Sequence, residues 1–144
     1  MALAKQVGQW SKDRSTRVGA VIVKNRDVIA TGYNGFPRGI DDEDDERHER
    51  PEKYLWTEHA ERNAVYAAAK MGHPLDGATI YVTVAEGRKL FCCADCARAI
   101  IQSGITRVVA DTADFLDPKW GPDMNRAARM LIEAGVDVQL QGDR

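Results

Sequence analysis

The chain has almost no net charge. Its 20 lysines and arginines stand against 22 aspartates and glutamates, a formal charge of −2. No basic surface of the kind that neutralises a nucleic acid backbone is called for, so no nucleic acid partner is expected. No apolar run is long enough to span a bilayer and no stretch reads as a secretory leader, so no membrane partner is expected. Cysteine is scarce. Cys92, Cys93 and Cys96 are an odd set that cannot pair completely, which excludes a full disulfide framework and points to a reducing, cytoplasmic location. No internal repeat, linker or low-complexity tail divides the 144 residues, which suit one domain over 1–144 with a sizeable core.

Against that plain background two short stretches carry chemistry. One is Thr57-Glu58-His59-Ala60-Glu61, and the other is Cys93-Ala94-Asp95-Cys96. Zinc takes nitrogen and sulfur ligands in a tetrahedron. Structural sites fill all four places with protein, while catalytic sites fill three and keep one for water. His59, Cys93 and Cys96 make three. Cys92 adjoins Cys93, and neighbours in the chain rarely point at one metal, so an open place is expected. Two thiolates weaken zinc as a Lewis acid, and a base beside the water would compensate. Glu61, two residues from a ligand, suits that part. A packed histidine, a redox cysteine pair or a structural zinc knuckle are the plainer readings of the separate pieces.

Both stretches open helices in this reading. The spacing predicts a helix over 58–71, with Ala64, Ala67, Ala68 and Met71 on an apolar stripe and Gly72 past its end. It predicts another over 94–102, with Ala97, Ile100 and Ile101 buried. Helix N-termini favour thiolates. Residues i and i+2 diverge in mid-helix, so His59 and Glu61 can converge only in a relaxed first turn.

The remaining elements follow in order. Residues 2–11 predict a helix with Leu3, Val7 and Trp10 on one face. Strands are predicted over 18–23 and 28–33, turning at Asn25-Arg26-Asp27, then over 77–83, 105–110 and 136–140, with a helix over 123–134. The second half alternates strand and helix, which implies parallel strands beside an antiparallel hairpin: an α/β fold with a mixed five-stranded sheet. The loop Gly32-Tyr33-Asn34-Gly35-Phe36-Pro37-Arg38-Gly39 leaves a strand end, where ligands sit in α/β sheets. Asn34, with Gly35 beside it, is therefore a candidate substrate contact through a sugar hydroxyl. Residues 41–53, dense in acids, read as a solvated face and are assigned no chemistry.

His59-Ala60-Glu61 followed by Cys93-Ala94-Asp95-Cys96 is similar to the signature of zinc-dependent deaminases. With Ser15-Thr16-Arg17-Val18-Gly19-Ala20 and the Gly32–Gly39 loop, the chain resembles the cytidine deaminase-like superfamily over nearly its whole length, and within it the deoxycytidylate (dCMP) deaminases. The resemblance implies a three-layer α/β/α sandwich, a Zn2+ cofactor on His59, Cys93 and Cys96, and hydrolysis of dCMP to dUMP and ammonia for thymidylate synthesis. It implies that Glu61 shuttles protons between water, ring N3 and the leaving ammonia, and that Asn34 holds the deoxyribose. It further implies a homo-oligomer, with a hexamer favoured, and regulation by dCTP and dTTP. Two departures stand out: Cys92 occupies a place usually held by proline, and the pocket-bordering loop 85–91 is longer than in the typical member. Lys12, Arg14, Arg17, Arg38 and Arg62 are candidates for a nucleotide phosphate, with Lys12 and Arg17 preferred from the loop beside the first strand. Another cytosine nucleoside or nucleotide deaminase is the nearest alternative. A zinc-stabilised binding module without turnover is a more distant one, which has no use for Glu61.

Overall fold

The run of apolar residues at Val18–Lys24 becomes β1, and it turns at once into its partner β2, Asp27–Tyr33. Asn25 and Arg26, both at positive φ, make the two-residue turn between paired Lys24 and Asp27, the geometry whose twist suits a hairpin. The computed structural model describes residues 1–142; residues 143 and 144, the end of the expected domain, lie outside the described residues. Three more strands complete the sheet: β3 (Thr79–Val84), β4 (Arg107–Asp111) and β5 (Asp137–Gln141). Their order is β2-β1-β3-β4-β5. The first three strands pair antiparallel, while β3, β4 and β5 are parallel. The mixed five-stranded sheet expected from the sequence is present.

Register decides which side chains meet. Ala20 pairs with Val82 and Ile22 with Ile80, and these pair onward with Ala110 and Val108. All six are buried on one face of the sheet. Three helices cover that face: α4 (Ala60–Met71), α5 (Ala94–Gln102) and α6 (Gly121–Glu133). They contribute Ala64, Ala68, Ala97, Ile100, Met124, Ala127 and Leu131 to one continuous core. The opposite face carries α1 (Ala2–Gly8), whose Ala4 and Val7 pack on Val21. The three layers are therefore unequal, three helices against one. Two single-turn helices, α2 (Asp45–His48) and α3 (Lys53–Trp56), fold within the acidic stretch.

Three details depart from the sequence reading. Helix α1 stops at Gly8, so Trp10 lies beyond it, exposed, with its ring edge against Tyr33 at 6.2 Å. Leu3 is exposed too, and Ala4 takes the buried position instead. On α4 the buried stripe begins earlier, at Ala60 and Glu61, and Met71 at its last turn is exposed. Gly72 ends that helix in the left-handed conformation, and its N–H closes onto Ala68 and Ala69.

The approach of α4 to the sheet depends on Gly32 of β2. A methyl group there would collide with the Ala60 carbonyl and the Ala64 amide. Backbone cannot step aside as a flexible side chain can, so Gly32→Ala should cost about 1–3 kcal/mol, the range of an overpacked core. The check is urea unfolding followed by far-UV circular dichroism. A lowered midpoint with an unchanged slope is expected, and an unchanged midpoint would contradict the close contact.

Candidate active site

Helices α4 and α5 both begin at a predicted ligand. His59 is the N-cap of α4, with φ −80° and ψ 152°, and Cys93 is the N-cap of α5, with φ −81° and ψ 166°. An N-cap residue has left the helical conformation, so its side chain turns back over the first turn. That resolves the spacing constraint: His59 is extended while Glu61 is already helical, and the two can face one point. A backbone bridge fixes the entry to His59, with Gly35 N–H donating to Glu58 C=O and Glu58 N–H to Gly35 C=O, at 3.0 and 2.8 Å. Gly35 thus serves through its backbone. A methyl group there would meet no atom within 4 Å.

The structure brings His59, Cys93 and Cys96 together, with their ligand atoms all within 4.8 Å of one another. His59 Nδ1 lies 3.3 Å from Cys93 Sγ and 3.5 Å from Cys96 Sγ. A tetrahedral zinc at ordinary bond lengths separates its nitrogen and sulfur ligands by about 3.5 Å, so the donor set and its spacing fit that ion. Cys93 Sγ also accepts the Cys96 N–H at 3.4 Å. Hydrogen bonds from Cys96 and then His59 push the Cys93 thiol down to about 4, against its burial. Bonding to Cys93 pushes His59 up to about 9, also against burial. Cys96, donor to Cys93 and buried, is pushed up. A zinc ion held by these three groups would take the place of the His59 Nδ1 proton and the Cys96 thiol proton, and would keep both sulfurs as thiolates. Cys92 takes no part: it is fully buried and its thiol faces the Cys93 carbonyl at 3.2 Å. Burial holds that thiol protonated, far above its ordinary range.

Glu61 is only 5% exposed and borders the same cavity as His59 and Cys93. Burial pushes its carboxyl up, with His59 pulling the other way. A carboxyl raised above its ordinary range and facing the cavity has the placement a general acid–base requires. The cavity has a volume of about 760 Å³, within the usual range for small-molecule sites. Asn34 lines it as well. Its Oδ1 accepts the Val18 N–H at 2.8 Å and its Nδ2 donates to Thr16 C=O at 2.9 Å. One N–H and one lone pair of that amide remain for a ligand.

The cations around the cavity are not those expected. Lys12 is held by Asp42 at 2.9 Å and by Glu43 at 3.6 Å, away from the cavity. Arg17 grips Glu86 through Nε at 2.5 Å and through its backbone N–H at 3.0 Å, which fastens the long loop before Cys93. A phosphate role for Lys12 and Arg17 finds no support in these positions, because carboxylates distant in sequence already engage both. Arg50, Lys53, Arg88, Lys89 and Lys119 line the cavity instead. Lys53 is paired with Asp13 at 2.8 Å, both side chains largely buried. Burial alone would raise Asp13, but Lys53 and the amides of Thr16 and Ser15 hold it below its ordinary value. Arg50 reaches Tyr54 Oη at 2.8 Å and Ser15 Oγ at 3.3 Å, Arg88 reaches Thr16 Oγ1 at 2.6 Å, and Lys119 reaches Tyr54 Oη at 3.2 Å. Among the described residues these three make no ion pair, so their charge stays available to an anion. Three separate loops supply them, and no local pattern in the sequence marks them as a group.

Comparison with known proteins agrees with this geometry. The model of the cytidine and deoxycytidylate deaminase zinc-binding region matches residues 1–112. The chain belongs to that family, hydrolases that act on the C–N bond of a cyclic amidine. Within it the chain resembles the deoxycytidylate deaminases. The deoxycytidylate deaminase of Homo sapiens is 35% identical over 144 residues, covering 94% of this chain and 74% of its own length. An uncharacterized deaminase in the luxG 3′ region of Aliivibrio fischeri is 44% identical over 138 residues, covering 94% and 86%. The dCMP deaminase of cyanophage S-TIM5, solved in complex with dCMP and dUMP, superposes with a TM-score of 0.75 at 26% identity, covering 97% of this chain and 92% of its own.

The metal assignment has a direct check in the zinc content of purified variants. Cys92→Ala should retain one zinc per chain, because its sulfur points at a carbonyl. Cys96→Ala should lose most of it. A zinc-free Cys92→Ala protein that is otherwise folded would assign the wrong cysteine.

Proposed function

We propose that the protein hydrolyses dCMP to dUMP and ammonia with zinc held by His59, Cys93 and Cys96. The observation that carries this reading is one cavity lined at once by the zinc ligands His59 and Cys93, by buried Glu61, and by the unpaired cations Arg50, Arg88 and Lys119. Bound there, zinc lowers the pKa of a water toward neutrality. Glu61 takes the proton that water gives up. It delivers that proton to ring N3 of the cytosine, which makes C4 electrophilic toward the oxygen left behind. Glu61 then carries the second proton to the departing ammonia, so one water is consumed for each ammonia released.

Recognition divides between two parts of the cavity lining. The open donor and acceptor of Asn34 suit a sugar hydroxyl. Arg50 and Arg88, converging on the adjacent Ser15 and Thr16, suit a phosphate, with Lys119 sharing the Tyr54 hydroxyl with Arg50. This arrangement favours a nucleotide over a free nucleoside. The likeness to the dCMP branch extends the reading to a cytoplasmic homo-oligomer, with a hexamer favoured, that supplies dUMP for thymidylate synthesis under control by dCTP and dTTP.

Ammonia release from the zinc-loaded protein with dCMP, CMP, dCTP and deoxycytidine tests the reading. Turnover should favour dCMP over deoxycytidine. Arg50→Ala and Arg88→Ala should each raise KM for dCMP about 10- to 100-fold, the worth of one charge-assisted hydrogen bond, while sparing deoxycytidine. Glu61→Gln should keep its zinc and lose at least about 100-fold in kcat. Equal turnover of dCMP and deoxycytidine, unmoved by the arginine variants, would reject the phosphate assignment.

A further inference from the structure

Helix α6 supplies no ligand, yet its first turn grips the chain on both sides of a zinc ligand. Asp123 Oδ2 accepts the N–H of Ala94, the residue after Cys93, at 3.0 Å. Met124 Sδ accepts the N–H of Phe91, two residues before Cys93, at 3.0 Å. Neither Phe91 nor Cys92 is a proline, so no ring restricts the backbone on the way to Cys93. The constraint comes from outside the segment, from a helix some thirty residues further along the chain.

Each partner is itself held. Asp123 Oδ1 pairs with Arg126 at 2.9 Å, one turn along α6, which turns Oδ2 toward Ala94. Met124 is 2% exposed, packed in the main core. The Phe91 ring meets Phe115 at 5.8 Å, so the loop is secured from the β4–α6 connection as well. The bond at Ala94 also satisfies an N–H of the first turn of α5, which has no partner within that helix. An acceptor with negative charge suits that end of a helix. It sits poorly beside two thiolates, and a dipositive ion between them reverses that balance.

We propose that the first turn of α6 is a positioning element for the zinc centre: Asp123 and Met124 fix the backbone on either side of Cys93 so that its sulfur is aimed before metal arrives. The inference rests on the zinc site and not on the choice of dCMP, and its test uses no substrate. Zinc affinity is measured on the full-length chain by competition with a chelator. The cobalt-substituted protein is measured by its thiolate-to-cobalt absorption. Asp123→Ala should weaken zinc binding about 10- to 100-fold, the usual loss when a group supporting a ligand is removed, and should shift the cobalt bands. Asp123→Asn keeps an acceptor oxygen without the charge and should recover most of that loss. Met124→Leu conserves volume and removes only the acceptor. It should weaken zinc about 2- to 10-fold, and it reads the clamp even if Asp123→Ala does not fold. Zinc affinity and cobalt bands unchanged in Asp123→Ala, or in Met124→Leu, would overturn the proposal. So would Asp123→Asn binding zinc as weakly as Asp123→Ala, since charge and not the hydrogen bond would then be responsible.

Discussion

Helices α4 and α5 start facing one another, and each starts at a metal ligand. An α-helix leaves its first N–H groups unpaired and carries roughly half a positive charge at that end. Two such ends meet around Cys93 and Cys96. The cost of holding a thiolate at half-buried Cys93 is thereby offset before any metal is considered. The same meeting places Glu61 in the first turn of α4, buried, beside His59. Remove the convergence and the donors separate, while Glu61 becomes a buried carboxyl with no task. The surroundings maintain it. Gly32 allows α4 close to the sheet, the Gly35–Glu58 bridge sets the entry to His59, and Asp123 holds the entry to α5.

Charge is sorted around this centre in a way that the net value of −2 conceals. The acidic run neutralises outward cations: Asp42 and Glu43 take Lys12, Asp45 takes Arg14, and Asp44 takes Arg47. Three of the cations facing the cavity, Arg50, Arg88 and Lys119, have hydroxyl partners on Ser15, Thr16 and Tyr54, while a fourth, Lys53, is paired with Asp13. A hydroxyl orients a guanidinium without cancelling its charge. A protein that is slightly acidic overall thus gathers several cations along one cavity.

The grouping of His59, Cys93 and Cys96 was legible in the sequence because its chemistry is local. A His at a helix start and two cysteines three apart can serve one metal only if both helices begin there, and a run of small apolar residues after each made the helices readable. The strands were legible for the same reason, as short apolar runs between turns. The cluster of cations along the cavity was not. Arg50, Arg88 and Lys119 come from three loops, and each alone is an ordinary surface charge. Arg50 sits in a segment whose acid content suggested solvent, and Lys12 and Arg17 looked available because their partners, Asp42 and Glu86, lie about 30 and 69 residues away. Trp10 and Met71 show a smaller version of the same limit: helical spacing assigned a face, but the helix ends decided which residues reached the core.

The most direct test of the account is X-ray absorption at the zinc edge of the purified protein. The expected first shell is two sulfurs at about 2.3 Å, one imidazole nitrogen and one further light atom from solvent. A shell of three sulfurs, or of four protein ligands with no solvent atom, would contradict the convergence of His59, Cys93 and Cys96 on an open zinc.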